Sequence, residues 1–441
     1  MKKLNILFIL LSFSISLTAQ NKIWSLEEAV NYALTNNLSV KQAELTTDLK
    51  NEDIITAKGN RLPSLNASAS ESFSFGSSID NGNIRISGNR NSTSFGVSSS
   101  VTLFNGFRNL NTIKQAELGH EASILDLEKM KNDISLYIVN SYLNILFNKE
   151  NLKVAQDQLK ISKLQLSKVK QLVAEGARAK SEQLEAEATV ASDEEKLVTA
   201  QNSLDLSLLS FAQLLQISHR NIDIEDVKFS IGAPNLKYND TDAIFSKAVA
   251  EKPEIKSAEL EVKNAELGVN IAKSFNYPSL SMGYSFSTFY GHTNGLPNQD
   301  SFLDQFEDNK SHNINLSLNI PIFNGFRTKS GIAKAAINTQ LASYTLDNEK
   351  LKLRESIERA YADAKAALNQ YIASEKSVTT QQESFNNAQI RFDLGALTSF
   401  DFEQVRARLV AAQSSYINAK YNYVFKTKLL EYYYGIPIVL N

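Results

Sequence analysis

The chain of 441 residues contains no cysteine. That excludes disulfides, thiolate metal sites, a thiol nucleophile and a lipid-modified N-terminal cysteine at once, so packing and hydrogen bonding must hold the fold. An excess of either charge is also lacking: 46 Lys and Arg face 48 Asp and Glu, with no basic block. Nucleic acid is therefore a disfavoured partner. The four histidines, His120, His219, His292 and His312, are scattered. His292 and His312 share a predicted loop with Asp300, Asp304 and Asp308, but at no metal-ligand spacing. There is no nucleophile elbow, phosphate-cradling glycine loop or HExxH pattern, so no catalytic residue, metal ligand or cofactor is assigned. After the first residues, no apolar run approaches the roughly 20 residues of a membrane-spanning helix.

What is present begins with Met1-Lys2-Lys3, an apolar run over residues 4–17, and Leu17-Thr18-Ala19 before Gln20. This pattern predicts a secretory signal peptide over 1–19, cut after Ala19. The rest is organised around Phe104-Asn105-Gly106-Phe107-Arg108, whose five letters return as Phe323-Asn324-Gly325-Phe326-Arg327. Before each copy apolar residues alternate: Phe95, Val97, Val101 and Leu103, then Ile314, Leu316, Leu318, Ile320 and Ile322. That is the period of a strand with two unlike faces. After each copy runs a long proline-free segment rich in Ala, Leu, Lys, Glu and Gln, which reads as helix. Asn105-Gly106 and Asn324-Gly325 supply the backbone freedom for a strand-to-helix turn.

The duplication extends through the chain. A helix over 26–58, opened by Ser25, ends at Pro63, and Pro278 answers it. Strands are expected at about 64–76 and 93–104, then at 279–290 and 312–323, with polar loops between the members of each pair. Helix hairpins are expected at about 109–216 and 328–430, with tips marked by Gly176 and Gly395. Their seams are regular: Leu152, Ala155, Leu159, Ser162, Leu166, Val169 and Val173 in one, and Phe402, Val405, Leu409, Ala412, Tyr416, Ala419 and Tyr423 in another. Two structural repeats, 20–220 and 241–434, flank a linker over 221–240 and precede a short tail over 435–441.

Four strands of this length match the ~9–11 residues that a tilted strand needs to cross a bilayer. They cannot close alone, and an open edge in lipid leaves backbone groups unpaired. The chain must therefore associate with itself. Two copies would give a narrow, filled barrel of eight strands and three copies twelve strands with a lumen. Helices of about 65 residues are on the order of 100 Å long and need neighbours along their length. The fold class is mainly α with membrane β.

The order of these features resembles the TolC family of outer-membrane efflux proteins. The resemblance covers essentially the whole chain after the signal: the duplication, the strand ending Ile320-Pro321-Ile322-Phe323-Asn324-Gly325, and the tips at 176–182 and 395–401. It implies a homotrimer with a twelve-stranded barrel in outer-membrane lipid, a helical periplasmic barrel with a pinched inner end, and docking to a periplasmic adaptor (membrane fusion) protein and an inner-membrane pump. The role implied is the outer-membrane channel of a tripartite efflux or type I secretion system. Gly176, Gly395, Leu397 and Thr398 would be tip residues in contact with the adaptor.

The family usually carries an acidic residue six positions after each tip glycine, matched by Glu182 and Asp401. At nine positions Glu185 is acidic but Gln404 departs. Three before the second glycine the family often has a tyrosine; with Phe392 there, a tyrosine-based gate bond cannot form. Three copies of Glu182, Glu185 and Asp401 would make a cation-attracting constriction. The same residues also suit helix first turns, where carboxylates are favoured without any pore. The alternative for the whole chain is a periplasmic coiled-coil scaffold or adaptor outside the membrane. Recovery from the soluble periplasm on fractionation would select it, since the duct must sediment with outer membrane.

Overall fold

The computed structural model describes residues 22–79, 83, 85–220, 222–227, 236 and 240–436; the expected signal peptide and most of the expected linker lie outside them. In chain order the elements are β1 (Lys22–Trp24), α1 (Leu26–Asn36), α2 (Leu38–Gly59), β2 (Ser64–Ser74), β3 (Ser77–Ile79), β4 (Arg85–Ser87), β5 (Arg90–Asn105) and α3 (Arg108–Ala174). They continue as α4 (Lys180–Leu215), β6 (Ile222–Ile224), α5 (Thr241–Glu251), α6 (Pro253–Ser274), β7 (Ser279–Thr293), α7 (Phe302–Asp308), β8 (Ser311–Asn319), α8 (Arg327–Asp393) and α9 (Ser399–Tyr433). Contacts group them into two units that cut across the sequence repeats: Leu45–Leu125 with Lys256–Asn348, and the remainder.

The first unit holds an antiparallel sheet of order β2-β5-β7-β8. Directly paired residues share a face, so the register sorts the side chains. Ala67 faces Val97, Val97 faces Phe286, Met282 faces Leu316, and Leu280 faces Leu318. The other face pairs Ser64 with Ser100, Ser98 with Ser285, and Ser281 with Ser317. One surface is therefore apolar and the other is built from Ser, Asn and Gly. Glu71, out of place on the apolar face, accepts a hydrogen bond from Thr93 across the strand pair. All residues of the outer strands β2 and β8 are exposed.

Several boundaries differ from the sequence expectation. The last strand stops at Asn319 instead of Phe323, because Pro321 brings no N–H to a ladder. Residues 77–92, expected as loop, include the small hairpin of β3 and β4. In the 291–312 stretch, expected as a polar loop, α7 lays Phe306 on Phe95, with ring centroids 5.5 Å apart. His312 belongs to β8, where its Nδ1 lies 3.0 Å from the Tyr284 hydroxyl. The stretch also closes an edge. Where β7 outruns β8, Asn309 donates to the Phe289 carbonyl at 2.8 Å, Gln305 accepts from and donates to Gly291 at 2.9 and 3.0 Å, and Gln299 does the same to Thr293 at 2.6 and 2.7 Å. Three amide side chains occupy the backbone groups that a strand would otherwise seek.

The second unit is helical around a core of Tyr142, Phe211, Ile138, Ile145 and Leu215. Its N-terminal helix opens on a capping box: Ser25 accepts from the Glu28 N–H at 3.2 Å, and Glu28 answers the Ser25 N–H at 3.3 Å. The expected continuous helix over 26–58 is broken at Asn37, which accepts from the Ser39 N–H and donates to the Leu214 carbonyl at 3.1 Å. β1, which the sequence did not announce, pairs in parallel with β6. The Tyr142 hydroxyl ties that pair to α3 through the carbonyls of Trp24 and Glu225, at 3.2 and 2.9 Å.

Lys252, between α5 and α6, is buried; its ammonium donates to the Tyr432 carbonyl at 2.9 Å and lies 3.2 Å from that ring's centroid. Burial pulls its pKa from 10.5 down to about 8, against the opposing pull of Glu254, Glu251, Asp133 and Glu128. Between those two values the unfolded chain holds the proton and the folded chain releases it. Stability from this group therefore rises as pH rises from about 8 towards 10. Relative to Lys252→Met, the wild type should gain up to about 3 kcal/mol over that range, read as a pH-dependent difference in melting temperature. A difference independent of pH would show that the ammonium is already well solvated.

Candidate functional site

The two hairpin tips are built alike. Gly176 has φ +73° and Gly395 +75°. Ala177 donates to the Leu172 carbonyl and Ala396 to the Arg391 carbonyl, each at 2.8 Å, while the glycine N–H groups bond Val173 and Phe392 at 3.0 Å. This is the six-to-one and five-to-two pairing by which a left-handed glycine ends a helix. A side chain at either position would be strained.

The predicted acidic residues separate at this level. Asp401 belongs to the start of α9: its N–H donates to the Thr398 hydroxyl at 3.1 Å, and Thr398 donates to its carboxylate at 2.8 Å. Glu182 accepts from Arg178 at 2.9 Å and from the Ser399 hydroxyl at 3.2 Å, which joins the two tips. Glu185 is exposed. Leu397 is half-buried against the cluster of Phe385, Phe392 and Phe402, while Leu184, Leu394 and Phe400 are exposed. The sequence reading missed those three. Phe392, in place of a hydroxyl, stacks on Phe402 with centroids 4.9 Å apart, and Arg178 lies 5.7 Å from its ring centre.

Away from the tips lies an ionic cluster that the sequence did not single out. Arg406 of α9, 5% exposed, donates to Asp193 of α4 at 2.6 Å, to Glu403 at 2.7 Å and to Gln158 of α3 at 3.4 Å. Lys196 adds a contact to Asp193 at 3.2 Å. Burial works to raise the Asp193 carboxyl, but hydrogen bonding and charge from Arg406 outweigh it and hold the pKa below the usual value. Burial lifts Glu403 above its ordinary value despite the same arginine. A cavity of about 630 Å³ lies beside them, lined by Phe147, Val154 and Val410 among others.

The strand-to-helix turns form the other candidate region. Phe107 and Phe326 both have φ +64°, which is costly for an aromatic residue, and both follow a left-handed glycine. Asn105 accepts from the Asn109 N–H at 3.3 Å and Asn324 from the Thr328 N–H at 3.5 Å, so each turn caps its own helix. A Cβ at Gly106 would lie 2.7 Å from the Ser274 carbonyl oxygen. At Gly325 a Cβ would meet nothing within 4 Å.

A sequence profile of the family described as outer membrane efflux protein matches residues 29–215 and 244–431. The outer membrane protein TolC of Escherichia coli strain K12 is 23% identical over 434 residues, covering 96% of this chain and 84% of its own. Among solved structures, CusC superposes with a TM-score of 0.78 at 18% identity over 96% of both chains. The Campylobacter jejuni CmeC outer membrane channel gives 0.78 at 20% identity, over 93% of this chain and 85% of its own.

Removing one partner of the Arg406 cluster should expose its energetics. Arg406→Met leaves the Asp193 carboxylate, 3% exposed at its side chain, with only Lys196 as ion-pair partner, and should cost about 3–5 kcal/mol in thermal or denaturant unfolding. Adding Asp193→Leu should restore most of that loss. If the double variant is no more stable than the single one, the pair is not what Arg406 contributes.

Proposed function

The chain belongs to the outer membrane efflux protein family, and from that premise we propose that it is a passive duct. Three copies close a twelve-stranded barrel in the outer membrane, their long helices continue it into the periplasm, and a periplasmic adaptor and an inner-membrane pump provide the drive. The duct performs no chemistry of its own.

The observation that carries this reading is the sheet with one apolar face, one Ser/Asn face and two edges that pair with no other strand among the described residues. In water Ile314, Leu316 and Leu318 would lie exposed on one strand, which a soluble scaffold has no reason to maintain. In lipid that face is satisfied, and the polar face suits a wet lumen. The free edges then require each other, since unpaired backbone groups in hydrocarbon cost several kcal/mol each. The turns support the same closure. The first copy packs on Ser274 and Tyr277, which lead into the strand of the other repeat. The matching neighbour of the second copy would come from the next protomer, at the residues that lead into its β2.

At the inner end, Glu182, Glu185 and Asp401 form the aperture in this reading. Arg178 offsets Glu182 and Thr398 fixes Asp401, which leaves Glu185 as the least compensated charge. Gly176, Gly395, Leu397 and Thr398 shape the tip that the adaptor meets, with Leu184, Leu394 and Phe400 adding exposed apolar surface.

A cysteine-free chain makes the closure directly testable. One cysteine on β2, scanned over 64–72, and one on β8, scanned over 311–317, should cross-link on oxidation into covalent dimers and trimers and stop at three. Only monomers, or a ladder beyond three, would sink the barrel. In planar bilayers Asp401→Ala and Glu185→Gln should each lower the preference for cations, with the larger effect for Glu185. Conductance and selectivity unchanged in both would remove these residues from the aperture.

A further inference from the structure

The duplicated turns end on Arg108 and Arg327, and both arginines line a single cavity of about 650 Å³ at the base of the sheet. The lining also includes polar residues such as Asn105, Ser274, Ser279, Asn319, Asn324 and Thr328, and no Asp or Glu contributes. Ser279 pairs with Asn319 and with Asn105 on the Ser/Asn face, so the cavity opens on the polar side of the sheet. The asparagine side chains of the turns are committed to capping their own helices. Arg108 lies with its guanidinium 4.7 Å from the Phe275 ring centre, a stacking arrangement that leaves its N–H edges available. Among the described residues neither arginine has an ion-pair partner.

We infer that this cavity is an oxyanion site, taking a phosphate group or a carboxylate of like geometry from the lumen. Two arginines lining one cavity whose wall carries no Asp or Glu leave a positive potential that water screens. An oxyanion replaces that water with forked, charge-assisted hydrogen bonds. The sequence supports the pairing, because a duplicated turn needs Asn and Gly for its geometry but not a cation at its fifth position. In the assembled duct three such cavities would ring the lumen where the strands give way to helices. This location rests on the duct reading, whereas binding itself does not.

The test is calorimetric titration of inorganic phosphate into the full-length protein in uncharged detergent. Wild type should bind. Arg108→Gln and Arg327→Gln should each weaken binding by about tenfold and the double variant abolish it, while the Arg→Lys pair retains part of it. Absence of binding to wild type, or unchanged affinity in the double variant, would overturn the site. Phosphate binding by a protein that forms no conducting channel would refute the duct and leave the site standing. Nanodiscs separate the sources of the anion: equal phosphate affinity in phosphatidylcholine and in phosphatidylglycerol bilayers supports a solute from the lumen. Competition by phosphatidylglycerol would assign the cavity to a lipid headgroup and overturn the luminal assignment.

Discussion

The constraint on which the rest depends is the unsatisfied backbone along the outer edges of β2 and β8. An edge in water is hydrated and costs little; in hydrocarbon every unpaired N–H and C=O is expensive. The chain handles its edges in two different ways. Where β7 runs past β8, Asn309, Gln305 and Gln299 pair with successive exposed backbone groups and end the possibility of strand addition. Along β2 and β8 no such seal exists among the described residues. Selective sealing of this kind defines where a second copy can add, because a strand arriving at the sealed stretch would have to displace amides already bonded. The same device that prevents unwanted pairing thereby narrows the choice of register for the wanted one.

Much of this was legible in the sequence because period-two and three-four patterns are local. Phe95, Val97 and Val101 announce a strand with one apolar face whatever it pairs with, and Phe402, Val405 and Leu409 announce a helix seam. The paired glycines Gly176 and Gly395 were legible for the same reason, since a left-handed residue between two helical patterns leaves few choices. What escaped the reading is non-local. Nothing near Lys22–Trp24 says that three residues will pair with Ile222–Ile224 some 200 positions on. The break at Asn37 escaped because its side-chain partner is the Leu214 carbonyl at the end of another helix. α7 escaped because the polar composition of residues 291–312 outweighed the spacing of Phe302 and Phe306.

The Arg406 cluster shows the limit most clearly. Arg406 lies four residues after Phe402 and three before Leu409, on the flank of a seam where the period leads one to expect an apolar side chain. Its partner Asp193 is 213 positions away. Sequence shows two charged residues on two long helices; only their juxtaposition shows a buried pair with opposing effects of desolvation and charge. The acidic tip residues were the reverse case. Their spacing from the glycines was readable, but the spacing could not say that Asp401 would be held by its own cap and Glu182 by an arginine.

Those local commitments bear on what opening an inner end would require. The hairpins are joined near their tips by Glu182 with Ser399 and by Lys168 with Asp393, the latter at 2.7 Å between side chains that are both more than one-third exposed. The exposed Lys168–Asp393 pair contributes little, about 0–1 kcal/mol, which leaves the part-buried Glu182–Ser399 hydrogen bond as the main tie at the tips. Parting α4 from α9 at Arg406 costs more, because it breaks a buried guanidinium–carboxylate contact and leaves Arg406 with Glu403 and Asp193 with Lys196 as their remaining ion-pair partners. Between the two lies the aromatic cluster of Phe385, Phe392 and Phe402, which can slide without losing a directional bond. A separation of the tips would therefore meet more resistance at the Arg406 layer than at the tips themselves. The buried ion cluster, whatever it adds to net stability, ties α9 to α4 and α3 at a level the tip contacts do not reach.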